Sequence, residues 1–110
     1  MNSLRPDIPL SLQIYKAHTE WNRLRQDYDI LDGMYEVLKA REVEKGIKDG
    51  MAISRAEHWA KASEWNEAYR ADMSQAKHAM LDAQAKHAYL VNLAQEQRDE
   101  GFNERFQAKL

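Results

Sequence analysis

The chain has 110 residues, one domain's worth, with 16 Lys and Arg against 18 Asp and Glu and a formal net charge of −2 at neutral pH. That balance excludes a basic nucleic-acid arm, and no apolar run approaches the ~18–20 residues a membrane span needs. With no cysteine, disulfides and thiolate sites are excluded, and a reducing compartment is compatible with the chain.

Residues 1–9 hold both prolines, Pro6 and Pro9, and lack the apolar core of a signal peptide. They read as an extended N-terminal segment. From Leu10 onward alanine, glutamate, lysine, glutamine, arginine and leucine dominate. These are strong helix formers, and the fold class they predict is all-α. Pro9 suits a first helical turn, where its missing N–H would have no partner anyway.

The first predicted helix covers 10–45. Leu10, Ile14, Ala17, Trp21, Leu24, Tyr28, Leu31, Tyr35 and Leu38 alternate by four and three without a slip, as in a helix packed along a coiled-coil-like seam. Ile30, Met34 and Val37 form a second apolar set. Gly33 falls off the seam and weakens the helix by about 1 kcal/mol without ending it.

"EKGIKDGMAIS" carries Gly46 and Gly50, so 46–54 reads as a turn. Ser54 with Glu57 three residues later reads as a capping box, which starts the second helix at Arg55. That helix is expected over 55–100, before Gly101. Its seam is Trp59, Ala62, Asn66, Tyr69, Met73, Ala76, Met80, Ala83, His87, Leu90 and Ala94. The many alanines let a helix with large side chains approach closely. A turn centred near Lys48 gives a long antiparallel helical hairpin with Tyr35 by Ala62, Trp21 by Ala76, Ile14 by Ala83, Leu38 by Trp59, Leu24 by Met73 and Leu10 by His87. A register with Leu24 by Met80 also gives tolerable layers but moves the centre of the turn into the capping box.

A two-helix hairpin buries one stripe per helix, a poor core for a chain of this size. The expected remedy is assembly into a homo-oligomeric helical bundle. The alternative is a break in the second helix that folds it into a compact three- or four-helix domain. In the expected register everything after about Ala88 extends past Leu10. Leu90, Val91 and Leu93 precede a C-terminal segment, 101–110, in which Phe102, Phe106 and Leu110 recur every four residues on one helix face. These six residues are the candidate oligomer interface, because apolar surface of that extent marks an association site.

Signs of chemistry are few. Ala-Lys-His-Ala occurs at 76–79 and again at 85–88. Nine residues turn a helix by about 900°, so the two copies point to opposite sides. No histidine pair has the three- or four-residue spacing of a helical metal site. Asp27, Asp29 and Asp32 lie inside a helix without the glycine turn of a calcium loop and read as a solvated acidic face. No phosphate-loop or nucleophile-elbow motif is present, and a thin helical pair offers no pocket. The chain is read as non-enzymatic, with no catalytic, cofactor or metal residue expected. One charge feature remains. Lys39, Arg41, Lys45, Lys48, Arg55 and Lys61 gather around the turn against Glu42, Glu44, Asp49 and Glu57, a candidate contact for nucleic-acid phosphates.

A tyrosine- and leucine-studded first helix, a lysine/glycine turn, "SRAEHWAKASEWNEAYRAD" and a closing "LAQEQRDE" make up most of the chain. This layout resembles the small all-helical accessory proteins of tailed phages, some of them similar to recombination mediators that load a recombinase onto single-stranded DNA. The resemblance implies a homo-oligomer in the cytoplasm of a bacterial host, binding single-stranded DNA without sequence preference and contacting a recombinase. Two other classes stay open: a protein-binding module, such as a phage inhibitor of a host defence or transcription system, and a virion assembly or scaffolding component.

Overall fold

The computed structural model of the chain describes residues 8–109. Among them every regular element is helical: α1, Leu10–Lys48; α2, Ile53–Ala62; and α3, Glu64–Lys109. The fold is all-α. No helix among the described residues is long and apolar enough to cross a membrane. The chain divides into two compact units, one formed by residues 24–79 and the other by residues up to 23 together with those from 80 on.

In the 24–79 unit, α1 ends three residues later than expected, and the reason is Gly50. Its φ of 94° is a left-handed conformation that glycine adopts without a Cβ penalty. With Gly50 there, the Met51 N–H donates to the Gly46 carbonyl and the Gly50 N–H to that of Ile47, each at 3.0 Å. These two bonds are a Schellman cap, and they satisfy carbonyls the helix end would otherwise leave open. The connection is therefore 49–52 instead of 46–54, and Gly46 is a buried helical residue. A Cβ built on Gly46 would meet the Ala56 Cβ at 3.0 Å and the Met51 sulfur at 3.2 Å, so α2 is seated directly on the α1 backbone.

The second helix starts at Ile53 and not at Arg55. Ala52 is its N-cap and makes no side-chain cap bond. Ser54 is already inside the helix, so the capping box does not form. Ala56 and Ala60 are the fully buried residues of α2, while the expected seam residues Trp59 and Ala62 are exposed. A break follows at Ser63, whose backbone is extended at φ −71° and ψ 151°. The Ser63 hydroxyl donates to the Ala60 carbonyl at 2.6 Å and accepts from the Asn66 N–H at 3.2 Å, so it closes α2 and caps α3 together. Glu64 and Glu67 follow in the first turn of α3, where the helix dipole favours negative charge. The expected single helix over 55–100 is thus two helices.

Past the break the seams behave as the spacing implies. Leu24, Tyr28, Leu31, Tyr35 and Leu38 are half-buried on α1, as are Tyr69, Met73 and Ala76 on α3, and Asn66 is buried. The partners differ, however. Tyr35 donates its hydroxyl proton to Asn66 Oδ1, and its ring lies 6.3 Å from Trp65 and 5.8 Å from Tyr69. The Tyr69 hydroxyl donates to the Leu31 carbonyl at 2.7 Å. Tyr35 therefore stands by Asn66 and not Ala62, one helical turn from the expected register. The shift follows from the turn: with the cap at Gly50 its centre lies at Gly50 and Met51, not near Lys48.

In the other unit Ala17 and Leu90 are buried, and Leu10, Ile14, Trp21, Met80, Ala83, His87 and Ala94 are half-buried. His87 packs its ring 5.5 Å from Trp21 and 5.2 Å from His18. Trp21 was expected by Ala76 and His87 by Leu10, so the register differs here by more than one turn. At the start of α1, Pro9 precedes the helix and its carbonyl accepts from the N–H groups of Leu12 and Gln13.

Candidate interaction surfaces

Three surfaces present candidate side chains: the turn with its cations, the outer side of α1 within residues 24–79, and the C-terminal part of α3. The six turn cations do not form one group. Lys39 is held 3.1 Å from Glu36, with its ammonium 5.6 Å from the centre of the Tyr35 ring. Lys45 bonds Glu42 at 3.0 Å. Lys39 and Lys61 come together as walls of an open groove of about 400 Å³, but Glu36 and Glu57 line it too, so its charge is mixed. Arg41, Lys48 and Arg55 are exposed and form no ion pair among the described residues.

The second apolar set of α1 stays outside. Ile30, Met34 and Val37 are 59%, 48% and 52% exposed. They follow one another at four and three residues and so share one helix face. Beside them an added Cβ on Gly33 meets nothing within 4 Å. On α3, by contrast, Trp65 is half-buried against Tyr35 and Tyr69.

Of the six residues expected at an oligomer interface, Leu90 is 4% exposed and belongs to the interior of its own unit. The register is the reason: His87 lies beside His18 and Trp21, so Leu90 is covered by α1 and does not extend past it. Leu93 is half-buried, Val91 is exposed, and Phe102 is 68% exposed. Phe102 edges an open groove of about 830 Å³ that Leu10, Ile14 and Ala94 also line. The side chain of Phe106 and the whole of Leu110 lie outside the described residues.

The histidine contact between α1 and α3 was not readable in the sequence, because His18 and His87 meet across the fold and not along one helix. Asn22 Nδ2 lies 3.1 Å from His18 Nε2. No group of three or more metal-ligating side chains occurs among the described residues. The carboxyl of exposed Glu20 is held below the usual carboxylate range by its hydrogen bonds to the Arg23 guanidinium, the shorter at 2.7 Å. The sequence did hold a signal for the break at Ser63: a serine followed by glutamates one and four residues later is a helix start.

Comparison of the chain with protein families, with curated proteins and with solved structures finds no match.

Proposed function

We propose that the chain is a non-enzymatic helical accessory protein that acts by self-association and by binding a protein partner. The observation that supports this most is the exposed apolar surface of each unit, Ile30, Met34 and Val37 in one and Phe102 in the other, on a chain in which no large side chain of the described residues is fully buried. A contiguous apolar face held out of the interior, as at Ile30, Met34 and Val37, favours association. A long antiparallel hairpin assembled into a homo-oligomeric bundle is the arrangement this reading implies. A phage-type accessory role in the bacterial cytoplasm is the biological setting it carries over from the resemblance. Changing Phe102 to Ser tests it. The mass measured by light scattering is expected to fall toward that of a single chain while the circular-dichroism signal stays helical. An unchanged mass would remove the C-terminal surface from the proposal.

A second reading rests on exposed Arg41, Lys48 and Arg55: the turn touches phosphates of single-stranded DNA, as a recombination mediator does. Lys48→Glu with Arg55→Glu should then weaken binding to a single-stranded oligonucleotide and flatten its salt dependence by about two log units per log unit of salt, nearly one per lost contact. No binding by the wild type at ~50 mM salt, where such contacts are strongest, would end that reading.

A further inference from the structure

We propose that the break at Ser63 is a two-state hinge: α2 also exists as a direct continuation of α3, turned so that Trp59 and Ala62 face inward in place of Ala56 and Ala60. The hinge operates whether or not the chain self-associates. Three observations carry it.

The first is how little holds the break. No glycine or proline lies between Ile53 and Glu100, so the residue types there do not stop a helix. Without proline, a helix breaks where a side chain enters its backbone ladder. Two side chains do so here. In an unbroken helix the Glu64 N–H would donate to the Ala60 carbonyl, that of Trp65 to Lys61 and that of Asn66 to Ala62. In the structure the Ala60 carbonyl accepts instead from the Ser63 hydroxyl at 2.6 Å and from the Ser63 N–H at 3.3 Å. The Lys61 carbonyl accepts from Asn66 Nδ2, and the Asn66 N–H donates to the Ser63 hydroxyl. Just past the break the Glu67 N–H already donates to the Ser63 carbonyl at 3.2 Å, as it would in an unbroken helix. The φ of Ser63, −71°, is that of a helix too, and its ψ of 151° alone is not. One backbone angle therefore separates the two forms.

The second is phase. Continued through Ser63 without a break, the spacing of Ala56 and Ala60 would bring Glu67 and Arg70 inward, yet both are exposed. Followed back from α3, the spacing of Tyr69 and Asn66 arrives at Ala62 and Trp59, which are exposed as well. Those two residues stand about 110° around the helix from Ala56 and Ala60, at ~3.6 residues per turn. The break reconciles the two phases. Turning α2 by that angle reconciles them without a break.

The third is Gly46, which accepts either face. A Cβ added there would stand 3.0 Å from the Ala56 Cβ and 3.4 Å from the Trp59 ring. The indole is thus already at the edge of the seat that Ala56 occupies, and turning α2 carries it over the glycine. The hinge decides whether Trp59 is offered at the surface, where it is 39% exposed, or withdrawn. A partner that takes up the indole holds the broken form, because it binds one state better than the other.

The test uses the full chain, whose lack of cysteine lets one introduced thiol report one face. Ala62→Cys should react freely with a maleimide and Ala60→Cys slowly, because Ala62 is exposed and Ala60 is fully buried. Ser63→Ala removes the hydroxyl that closes α2 and caps α3, and it puts the best helix former at the break. In that background the Ala62→Cys rate should fall about tenfold and the Ala60→Cys rate rise about tenfold, with the circular-dichroism signal still helical.

Glu64→Pro is the opposite lock. Proline suits the first position of α3, favours the extended backbone that Ser63 has, and cannot sit inside a continuous helix. Added to Ser63→Ala, it should restore the wild-type rates. Alone, it should slow Ala60→Cys labelling severalfold, because it removes the straight form that exposes that face. Rates at both positions unmoved by Ser63→Ala would overturn the proposal, and so would a rise at both, which would mean that α2 detaches instead of turning. Ala60→Cys labelling that ignores Glu64→Pro would overturn it too. If a thiol at Ala60 prevents α2 from seating, protection of Ala62→Cys by Ser63→Ala and its release by Glu64→Pro decide by themselves, and absence of either overturns the hinge.

Discussion

Asn66→Ala is expected to destabilise the 24–79 unit by about 3 kcal/mol, with a fall in Tm on the order of 10 °C. Asn66 is buried at 4% exposure and bonds two elements besides its own. Its Oδ1 accepts from the Tyr35 hydroxyl on α1, and its Nδ2 donates to the Lys61 carbonyl at 2.8 Å on α2. Its backbone N–H donates to the Ser63 hydroxyl at 3.2 Å. Truncation to alanine keeps the cap but leaves the Tyr35 hydroxyl and the Lys61 carbonyl without these partners. Each part-buried group left unmet costs about 1–3 kcal/mol. Tyr35→Phe in the same background should then cost less than it does alone, because the group it removes has already lost its partner. Thermal unfolding of the three variants, followed by circular dichroism, measures this. Additive losses would mean that the bond between Tyr35 and Asn66 does not couple α1 to α3.

The second large effect is at Gly46. Gly46→Leu should destabilise the same unit by about 2–3 kcal/mol, the usual scale of overpacking. Intrinsic helix propensity predicts the opposite sign, since leucine is the better helix former by nearly 1 kcal/mol. The contact decides: even a single carbon added at Gly46 would stand 3.0 Å from Ala56 Cβ and 3.4 Å from the Trp59 ring. Ala56 and Ala60 are fully buried there, and a backbone-mounted methyl group has no rotamer by which to move aside. Gly101→Ala supplies the control. It lies in α3 with nothing within 4 Å of its added Cβ, so the propensity gain of about 1 kcal/mol should appear as a rise in Tm. Opposite signs at two helical glycines are the expected result in chemical denaturation, and a stabilising Gly46→Leu would contradict the packing of α2 on α1.

Much of this fold was legible because helical spacing is a strong signal. The first seam, from Leu10 to Leu38, is half-buried or buried at every member, and so is the second from Asn66 to Ala94. Periodicity shows which face is inward, but it does not fix where a neighbouring helix stops. That depended on one residue, Gly50, whose left-handed backbone caps α1 three residues later than the pair of glycines implied. The two glycines look alike in sequence, yet one turns the chain and the other admits Ala56. Ser54 and Ser63 pose the same problem. Both precede acidic residues, but only Ser63 has the extended backbone that lets its hydroxyl reach the helix end. The surfaces were less legible than the seams. Ile30, Met34 and Val37, the second apolar set, remain exposed, whereas Leu90, a seam position also expected at the oligomer interface, is buried. A shift in register moves residues from one role to the other without changing any pattern in the sequence.

The measurement that bears most directly on the proposed function is the mass of the wild-type chain by sedimentation equilibrium between ~1 and ~200 μM. Self-association through exposed apolar faces predicts a mass that rises with concentration from the 12.9 kDa of one chain to at least twice that value, and a shallower rise for Phe102→Ser. A mass that stays at 12.9 kDa through ~200 μM would contradict the account.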